Sequence, residues 1–173
     1  MYKRQSIYGA IREQLDALDK LGIAHEVVPG VSSFLAAAAA MQKEYTLPEV
    51  TQTVILTRME GRTPVPERER IEELAKHRAT MVIFLSVGRI AELAERLKTA
   101  YPETTPVAVV YKASWPDETI VTGTLADIAE KVQAAGITKT ALVTIGDFLG
   151  DSYALSKLYD KTFTHEYRQG KDA

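Results

Sequence analysis

The sequence contains no cysteine, which excludes disulfide bonds, thiolate catalysis and thiolate metal sites. Neither sign of charge dominates, because 21 lysines and arginines face 23 aspartates and glutamates, so nothing indicates a nucleic-acid partner. No apolar run approaches the roughly 20 residues of a membrane span, and the N-terminus lacks the apolar core of a signal peptide. These absences predict a soluble, cytoplasmic protein.

Two further absences concern the chemistry of sites. The sequence has no Gly-x-Gly-x-x-Gly run, and it therefore gives little support for a nucleotide-dependent oxidoreductase of the Rossmann type. Histidine occurs only at positions 25, 77 and 165, and no pair has the spacing of metal ligands on a helix face. We expect no metal site on the protein, and we expect His165, which alternates with aromatic residues, to be structural.

The chain does contain enough apolar residues, 46% of 173, to build a sizeable core in one large domain or two small ones. Its most informative segment is Pro29-Gly30-Val31-Ser32-Ser33, which lies between a predicted strand at residues 25–28 and an apolar run at 34–41. Pro29 and Gly30 end the strand, and Ser32 or Ser33 can cap the helix that follows. Small ligands bind at such strand-to-helix turns in α/β proteins.

Apolar strands and amphipathic helices alternate along the rest of the chain. We predict strands at residues 25–28, 53–57, 81–85, 107–111, 119–121 and 141–145, with a possible late edge strand in the tail, where residues 163, 165 and 167 alternate. We predict five helices. The first carries Ile7 to Leu18 and stops near Gly22, the second spans 34–41, and the third runs from Pro66 to about Lys76. The fourth spans 90–97, and the fifth follows Thr124 as a cap and stops at Gly136. This alternation is typical of an α/β fold.

The predicted elements divide the chain near residue 50. Residues 51–150 look like a complete α/β domain of about five strands, and residues 151–173 form a tail. Residues 1–48 look like the end of a different α/β domain, because one strand between two helices cannot form a sheet. An isolated strand would leave its backbone groups unpaired on both edges, so we expect that sequence upstream of residue 1 is missing.

Five short runs carry a resemblance to a known family. They are Ser6-Ile7-Tyr8-Gly9-Ala10, Pro29-Gly30-Val31-Ser32-Ser33, Thr57-Arg58-Met59-Glu60-Gly61-Arg62-Thr63-Pro64, Tyr111-Lys112-Ala113-Ser114-Trp115-Pro116-Asp117-Glu118 and Gly123-Thr124-Leu125. In this order, over residues 6–170, they resemble the tetrapyrrole methylases. The resemblance implies a two-domain α/β fold of which most of the N-terminal domain is missing here. Residues 1–5 stand in place of the Gly-Asp-Pro turn that the family has before the first run.

The resemblance also implies a function. Tetrapyrrole methylases transfer a methyl group from S-adenosylmethionine to a ring carbon, and the third and fourth runs look most like the members that convert precorrin-4 or cobalt-precorrin-4 to the precorrin-5 form by methylation at C-11, in cobalamin biosynthesis. A homodimer is implied, and any cobalt would arrive within the substrate. The alternatives are methylation at another ring position and a non-catalytic α/β ligand-binding module. We expect this chain by itself to have poor activity or none.

By resemblance, six residues are candidate contacts of the cofactor, which would lie in a cleft between the two domains. They are Ile7, Tyr8, Ser32, Ser33, Leu85 and Ala113, of which Ala113 would offer backbone hydrogen bonds to adenine. Taken without the resemblance, Ile7 and Leu85 are better explained as core residues. The two serines are then better explained as simple helix caps.

The tetrapyrrole substrate carries acetate and propionate groups, for which arginine and lysine are the suitable partners. Candidate substrate contacts are Arg58, Met59, Arg62 and Lys112, with a solvated surface charge or, for Met59, core packing as the alternative. Glu60 is a speculative catalytic residue for proton loss after methylation, although an ion pair with Arg58 is the interpretation that we favour.

Two more residues have open roles. Trp115, the one tryptophan, could lie against a flat macrocycle or adenine. We favour the interpretation that it is a packing plug, a buried side chain that fills space at the base of its loop. Asp147 follows a buried strand and could bind a ligand, but a role in a turn is favoured.

Overall fold

The computed structural model describes residues 6–170, and the prediction about residues 1–5 lies outside the described residues. The described chain has five helices and five strands, with four short 3-10 turns between them or in the tail. The helices are α1 Ile11–Lys20, α2 Ser33–Met41, α3 Ile71–Ala75, α4 Ile90–Leu97 and α5 Ile128–Ala134. The strands are β1 Val54–Arg58, β2 Thr80–Phe84, β3 Pro106–Tyr111, β4 Thr119–Thr124 and β5 Ala141–Ile145.

The five strands form one mixed sheet in the order β1-β2-β5-β3-β4. β1 and β2 are parallel, whereas β5 is antiparallel to both of its neighbours, β2 and β3. β4 pairs with β3 through a hairpin in which Tyr111 faces Thr119. Because of these directions, the carboxyl ends of β1, β2 and β3 and the amino end of β5 meet at one edge of the sheet. The predicted α/β fold with about five strands is confirmed.

Helices cover both faces of the sheet. On one face α3, α4 and α5 bury residues such as Ile71, Leu93 and Ile128, which have no exposed surface. On the other face the alanine-rich helix α2 packs on β5, and Ala37 is fully buried there. Tyr45 joins this second cluster of buried side chains. Residues that precede position 48 therefore complete the core of the sheet, while the division into two domains stays a prediction.

Two predicted helices differ from the observed ones. The helix predicted from Pro66 to Lys76 is interrupted, because Arg70 has an extended backbone with ψ of 150°. The residues before Arg70 are exposed and bury no side chain that would hold them in a longer helix, whereas Ile71 is buried. Thr124 is not the cap of α5, which begins after Asp127. Thr124 is the last residue of β4, and its N–H donates to the Asp127 carboxylate over 2.7 Å.

The predicted strand at residues 25–28 is wrong, since the structure has no strand there. Val27 and Val28 are about half exposed, and no strand of the described chain lies beside them to pair with their backbone. The prediction of an edge strand in the tail is also wrong. His165 and Arg168 form an isolated bridge, and the Arg168 side chain donates to the carbonyl of Leu158 over 3.1 Å, so the tail folds on itself.

Candidate functional site

A cleft of about 700 Å³ opens at the sheet edge where β2 and β3 end and β5 begins. Crevices outside the carboxyl ends of strands are the usual ligand sites of α/β folds. Most of the lining side chains are apolar, and the polar ones come from the connections between elements and from Ser33 at the start of α2. The lining residues are Ser33, Phe84, Leu85, Val87, Gly88, Arg89, Val110, Lys112, Ala113, Trp115, Thr138, Lys139, Thr140, Ala141 and Leu142. Four predicted site residues therefore come together here: Ser33, Leu85, Lys112 and Ala113.

The backbone of the cleft is strained. Leu85, Lys112 and Thr140 line the cleft and have φ values of 55°, 48° and 58°, in the left-handed region that side chains other than glycine rarely adopt. Such residues cluster at ligand sites, because the surrounding structure must hold them there. Leu85 directs its side chain outward and is 77% exposed, so the alternative that it is a core residue is wrong.

The amino end of α2 lies at the same cleft. Ser32 has an extended backbone and occupies the cap position, but its hydroxyl makes no capping hydrogen bond. The alternative that the serines serve as side-chain caps is therefore not what the structure shows. The Ser32 carbonyl accepts from the N–H groups of Leu35 and Ala36 at 3.0 and 3.2 Å. This leaves the hydroxyl of Ser33 and the first N–H groups of the helix near the cleft, where polar or anionic groups are favoured.

A short turn after β3 forms one wall. Lys112 pairs with the Asp117 carboxylate, which raises the pKa of the ammonium group, and its Nζ lies 5.5 Å from the centre of the Trp115 ring. Trp115 is 58% exposed, so the interpretation of a packing plug is wrong. Ala113 lies between them, and within residues 6–170 neither its N–H nor its C=O has a hydrogen-bond partner in the protein.

Tyr8 lies beside the cleft without lining it, and Ile7 does not line it either. The Tyr8 ring packs against Phe84, which does line it, with 5.5 Å between the ring centres. Burial raises the pKa of the Tyr8 hydroxyl, and the nearby charge of Arg58 opposes this shift. Tyr8 precedes α1 with a φ of 54°, so the first helix, which was predicted to carry Ile7, begins later, at Ile11. Ile7 is partly buried.

Arg58 braces its own loop. Its guanidinium donates to the carbonyls of Met59 and Pro64 at 3.0 Å each and to the Thr63 hydroxyl at 3.0 Å. Met59 is 4% exposed and packs in the core, the alternative that the sequence left open. Its N–H donates to the buried hydroxyl of Ser86 over 3.0 Å, which joins the ends of β1 and β2. In the structure, Arg58 therefore stabilises the loop by hydrogen bonds, and Met59 packs in the core.

Glu60 and Arg62 line a second, more polar cavity of about 810 Å³. Glu60 does not pair with Arg58 as predicted. Its carboxylate binds the guanidinium of Arg96 on α4, which also binds Glu72 with a shortest separation of 2.5 Å. These bonds lower the pKa of both carboxyl groups. Glu60 is therefore held as a charged ion-pair partner, which is a poor state for a general base with a matched pKa.

The segment before β5 was missed by the sequence reasoning. Thr138, Lys139 and Thr140 line the cleft, but the sequence marks them only as polar residues between Gly136 and a buried strand. Their position next to β2 follows from the insertion of β5 between β2 and β3, which no local pattern encodes. Asp147 lies in a 3-10 turn, and its carbonyl accepts from the Gly150 N–H over 3.0 Å, as expected of a turn residue.

Two other features are absent from residues 6–170. No group of three His, Asp or Glu side chains in this part of the chain could hold a metal ion. None of its helices is long and apolar enough to cross a membrane.

Comparison with known proteins agrees with the five sequence runs. The family model of tetrapyrrole (corrin/porphyrin) methylases matches residues 6–129, which is more than half of the chain. The chain belongs to the tetrapyrrole methylase family. The match includes Leu85 and the turn after β3, whereas β5 lies beyond it.

Curated members of the family are close in sequence. The chain is 60% identical over 166 residues to a cobalt-precorrin-4 C(11)-methyltransferase of Methanocaldococcus jannaschii, covering 95% of this chain and 64% of that protein. It is 48% identical to a precorrin-4 C(11)-methyltransferase of Pseudomonas aeruginosa, covering 96% of this chain and 67% of that protein. The chain thus spans about two thirds or less of the length of these relatives, as expected from the resemblance.

Solved structures of tetrapyrrole methylases share the fold. A cobalt precorrin-4 methyltransferase superposes with a TM-score of 0.81 at 48% identity, covering 84% of this chain and 62% of that one. A uroporphyrin-III C-methyltransferase of Thermus thermophilus, in complex with S-adenosylhomocysteine, superposes with a TM-score of 0.67 at 25% identity, covering 83% and 62%. The family assignment therefore holds for both sequence and fold.

Proposed function

We propose that the protein is an S-adenosylmethionine-dependent methyltransferase that methylates C-11 of precorrin-4 or cobalt-precorrin-4 in cobalamin biosynthesis. Relatives with 42 to 60% identity are named for this reaction, and they support C-11 over another ring position. The chain spans 64% of the length of the Methanocaldococcus relative, so the activity of the whole enzyme is part of what we propose for it. The homodimer and the cytoplasmic location implied by the resemblance are further parts of it.

The observation that carries the proposal is the cleft at the sheet edge. It brings together Ser33, Leu85, Lys112 and Ala113, four residues that the family resemblance had assigned to ligand contacts. The cleft offers an apolar wall, a helix amino end and a free backbone donor and acceptor at Ala113. These groups fit a cofactor that combines a flat adenine ring with charged and hydroxyl-bearing parts. We propose the remaining candidates, Ile7, Tyr8 and Ser32, as its neighbours.

When bound, the cofactor supplies a methyl group that is already activated by the positive sulfur. The protein therefore needs no nucleophile of its own, and its residues act by holding the two reactants in line and by excluding water. The apolar side chains of Leu85 and Phe84 exclude water from one side of the cleft. We propose that Arg62 binds substrate carboxylates, with Arg58 and Met59 shaping the loop between β1 and α3 that carries it. Lys112, which the resemblance also assigned to the substrate, is held by Asp117 at the cleft wall.

The function is tested in a chimera that matches the length of the relatives. In the Methanocaldococcus enzyme, the segment of 166 residues that aligns with this chain is replaced by it, and transfer of a labelled methyl group to cobalt-precorrin-4 is measured. We expect a product methylated at C-11, with kcat/KM within about tenfold of the parent. A folded chimera that binds S-adenosylhomocysteine but transfers no methyl group would favour a non-catalytic binding module. Methylation at another carbon would refute the assignment to C-11.

A further inference from the structure

Trp115 presents a large aromatic surface to the cleft. It is the one tryptophan of the chain, and it is 58% exposed although it lies on the cleft wall beside Ala113. Within the described residues, its indole N–H has no hydrogen-bond partner. A tryptophan usually buries most of its surface. An exposed indole at the wall of a cleft is therefore a surface that a ligand can cover.

The turn that carries Trp115 is fixed before any ligand binds. The Trp115 N–H donates to the Lys112 carbonyl over 2.9 Å, and the Trp115 carbonyl accepts from the Glu118 N–H over 3.0 Å. The Ser114 N–H donates to the Glu118 carboxylate over 2.6 Å. Lys112 and Ser114 have left-handed backbones, with φ of 48° and 70°. A side chain held in this way loses little conformational freedom when a ligand binds, which favours affinity.

The side chain of Trp115 is held as well. The Lys112 ammonium lies 5.5 Å from the centre of the indole ring, within the range of a cation–π contact. The same ammonium is bound to Asp117, so it is fixed over the ring rather than free for a substrate carboxylate. Lys112 therefore orients the indole.

The family resemblance already assigns the edge of the adenine ring to the N–H and C=O of Ala113. We propose that Trp115 stacks on the face of the same ring. The inference rests on the proposed function, which supplies the cofactor. Adenine carries an amino donor beside a ring-nitrogen acceptor, and the two free backbone groups of Ala113 are one acceptor and one donor. Aromatic side chains stack readily on the flat faces of bases.

Charge favours adenine over the tetrapyrrole as the occupant of this surface. Asp117 and Glu118 lie in the same turn and are exposed, and Asp117 neutralises Lys112. A macrocycle that carries many carboxylates would meet like charges there. The adenine ring is neutral, so it meets no such repulsion.

The test uses the single tryptophan as its own reporter. S-adenosylhomocysteine is titrated into the protein while indole emission is recorded, and the dissociation constant is measured independently by calorimetry. We expect an emission change that saturates at the calorimetric dissociation constant. We expect Trp115→Leu to weaken binding roughly tenfold, because it keeps the apolar contact but removes the aromatic face. Trp115→Phe should weaken it by less than about threefold. Tyr153→Leu, an exposed aromatic in the tail, is the matched control and should change nothing.

Three other outcomes would contradict the proposed role of Trp115 or of the cleft. Calorimetric binding without an emission change, and with Trp115→Leu equal to the wild type, would overturn the role of Trp115 and leave the proposed function standing. Absence of binding at millimolar S-adenosylhomocysteine by both the protein and the chimera would overturn the cofactor site, and with it the proposed function. If only the chimera binds, the same variants are compared in the chimera. If Trp115→Leu weakens binding of uroporphyrin III but not of S-adenosylhomocysteine, the surface belongs to the macrocycle and the inference is wrong.

Discussion

At the scale of single residues, the backbone conformation marks the cleft more clearly than side-chain chemistry does. Leu85 and Thr140, at the neighbouring ends of β2 and β5, both line the cleft with positive φ, where a glycine would avoid the strain. Leu85 also leaves a large apolar side chain exposed. Strain and exposure at one residue are unfavourable for stability alone, and contact with a ligand explains both.

Replacement of Leu85 by glycine separates stability from binding. Glycine relieves the left-handed strain but adds freedom to the unfolded chain, so we expect Leu85→Gly to change the free energy of unfolding by no more than about 1 kcal/mol. Loss of the exposed side chain should weaken binding of S-adenosylhomocysteine by roughly fivefold. Urea unfolding and calorimetry measure the two effects. Glu49→Gly, at a φ of 63° away from the cleft, is the control for stability. Unchanged binding by Leu85→Gly would contradict this role.

Tyr101 gives a prediction about alkaline stability. It is 4% exposed, its hydroxyl donates to the Ala79 carbonyl over 2.6 Å, and burial raises its pKa to about 12. The unfolded chain releases this proton near pH 10, whereas the folded protein keeps it until about pH 12. The contribution of Tyr101 to stability is therefore present below pH 10 and is lost between pH 10 and 12.

We expect Tyr101→Phe to lower the free energy of unfolding by about 1 to 2 kcal/mol at pH 8, because the buried Ala79 carbonyl loses its partner. The fall in stability of the variant above pH 10 should be less steep than that of the wild type. Urea unfolding at pH 8, 10 and 11 measures both, with Tyr153→Phe in the exposed tail as the control. An identical alkaline fall in Tyr101→Phe would show that the hydroxyl of Tyr101 is not the group that resists ionisation.

At the scale of elements, one side chain of α4 ties the loop after β1 to α3. Arg96 is only 16% exposed and binds Glu60 of the loop and Glu72 of α3. Arg89, before α4, donates to the Glu60 carbonyl as well. The loop that carries the candidate substrate contact Arg62 is thus held by the helix layer as well as by Arg58 at the end of β1.

We expect Arg96→Met to lower the free energy of unfolding at pH 7 by about 1 to 3 kcal/mol, between the values of exposed and buried ion pairs. The pairing lowers the pKa of Glu60 and Glu72, so its contribution is present above their ordinary pKa of 4.5 and is lost as the pH falls below it. The difference between variant and wild type should therefore shrink at pH 3. Lys76→Met removes an exposed pair with Glu73 and should lower stability by less than about 0.5 kcal/mol. A pH-independent loss in Arg96→Met would show that packing, rather than charge, is what Arg96 contributes.

At the scale of the whole molecule, the order of the strands assembles the site. β5 is last in the chain but lies between β2 and β3, so the residues that precede it reach the cleft from a distant part of the sequence. Local patterns predicted β2, β3 and β5 and the helix α2 closely, because each contains a short continuous apolar run. They could not predict the contact of Thr140 with this cleft, since pairing between distant strands is encoded by no single segment.

The wrong predictions concern residues whose environment depends on other parts of the chain or on backbone conformation. Val27 and Val28 have the composition of a strand, but a strand needs a neighbour for its backbone, and the described chain offers none there. Trp115 was expected to fill a gap because an apolar side chain in a turn usually does. Its exposure depends on the conformation of Lys112 and Ser114, which composition does not reveal.

The central claim is that the cofactor binds at the edge of the sheet where β2 and β3 end. Its most direct test is the mapping of amide chemical shifts by nuclear magnetic resonance as S-adenosylhomocysteine is added to the protein. We predict that the largest changes occur at Leu85, Ala113 and Thr140, with little change at Arg62 in the second cavity. Changes centred on the second cavity, or on the opposite edge of the sheet around Gly123, would contradict the account.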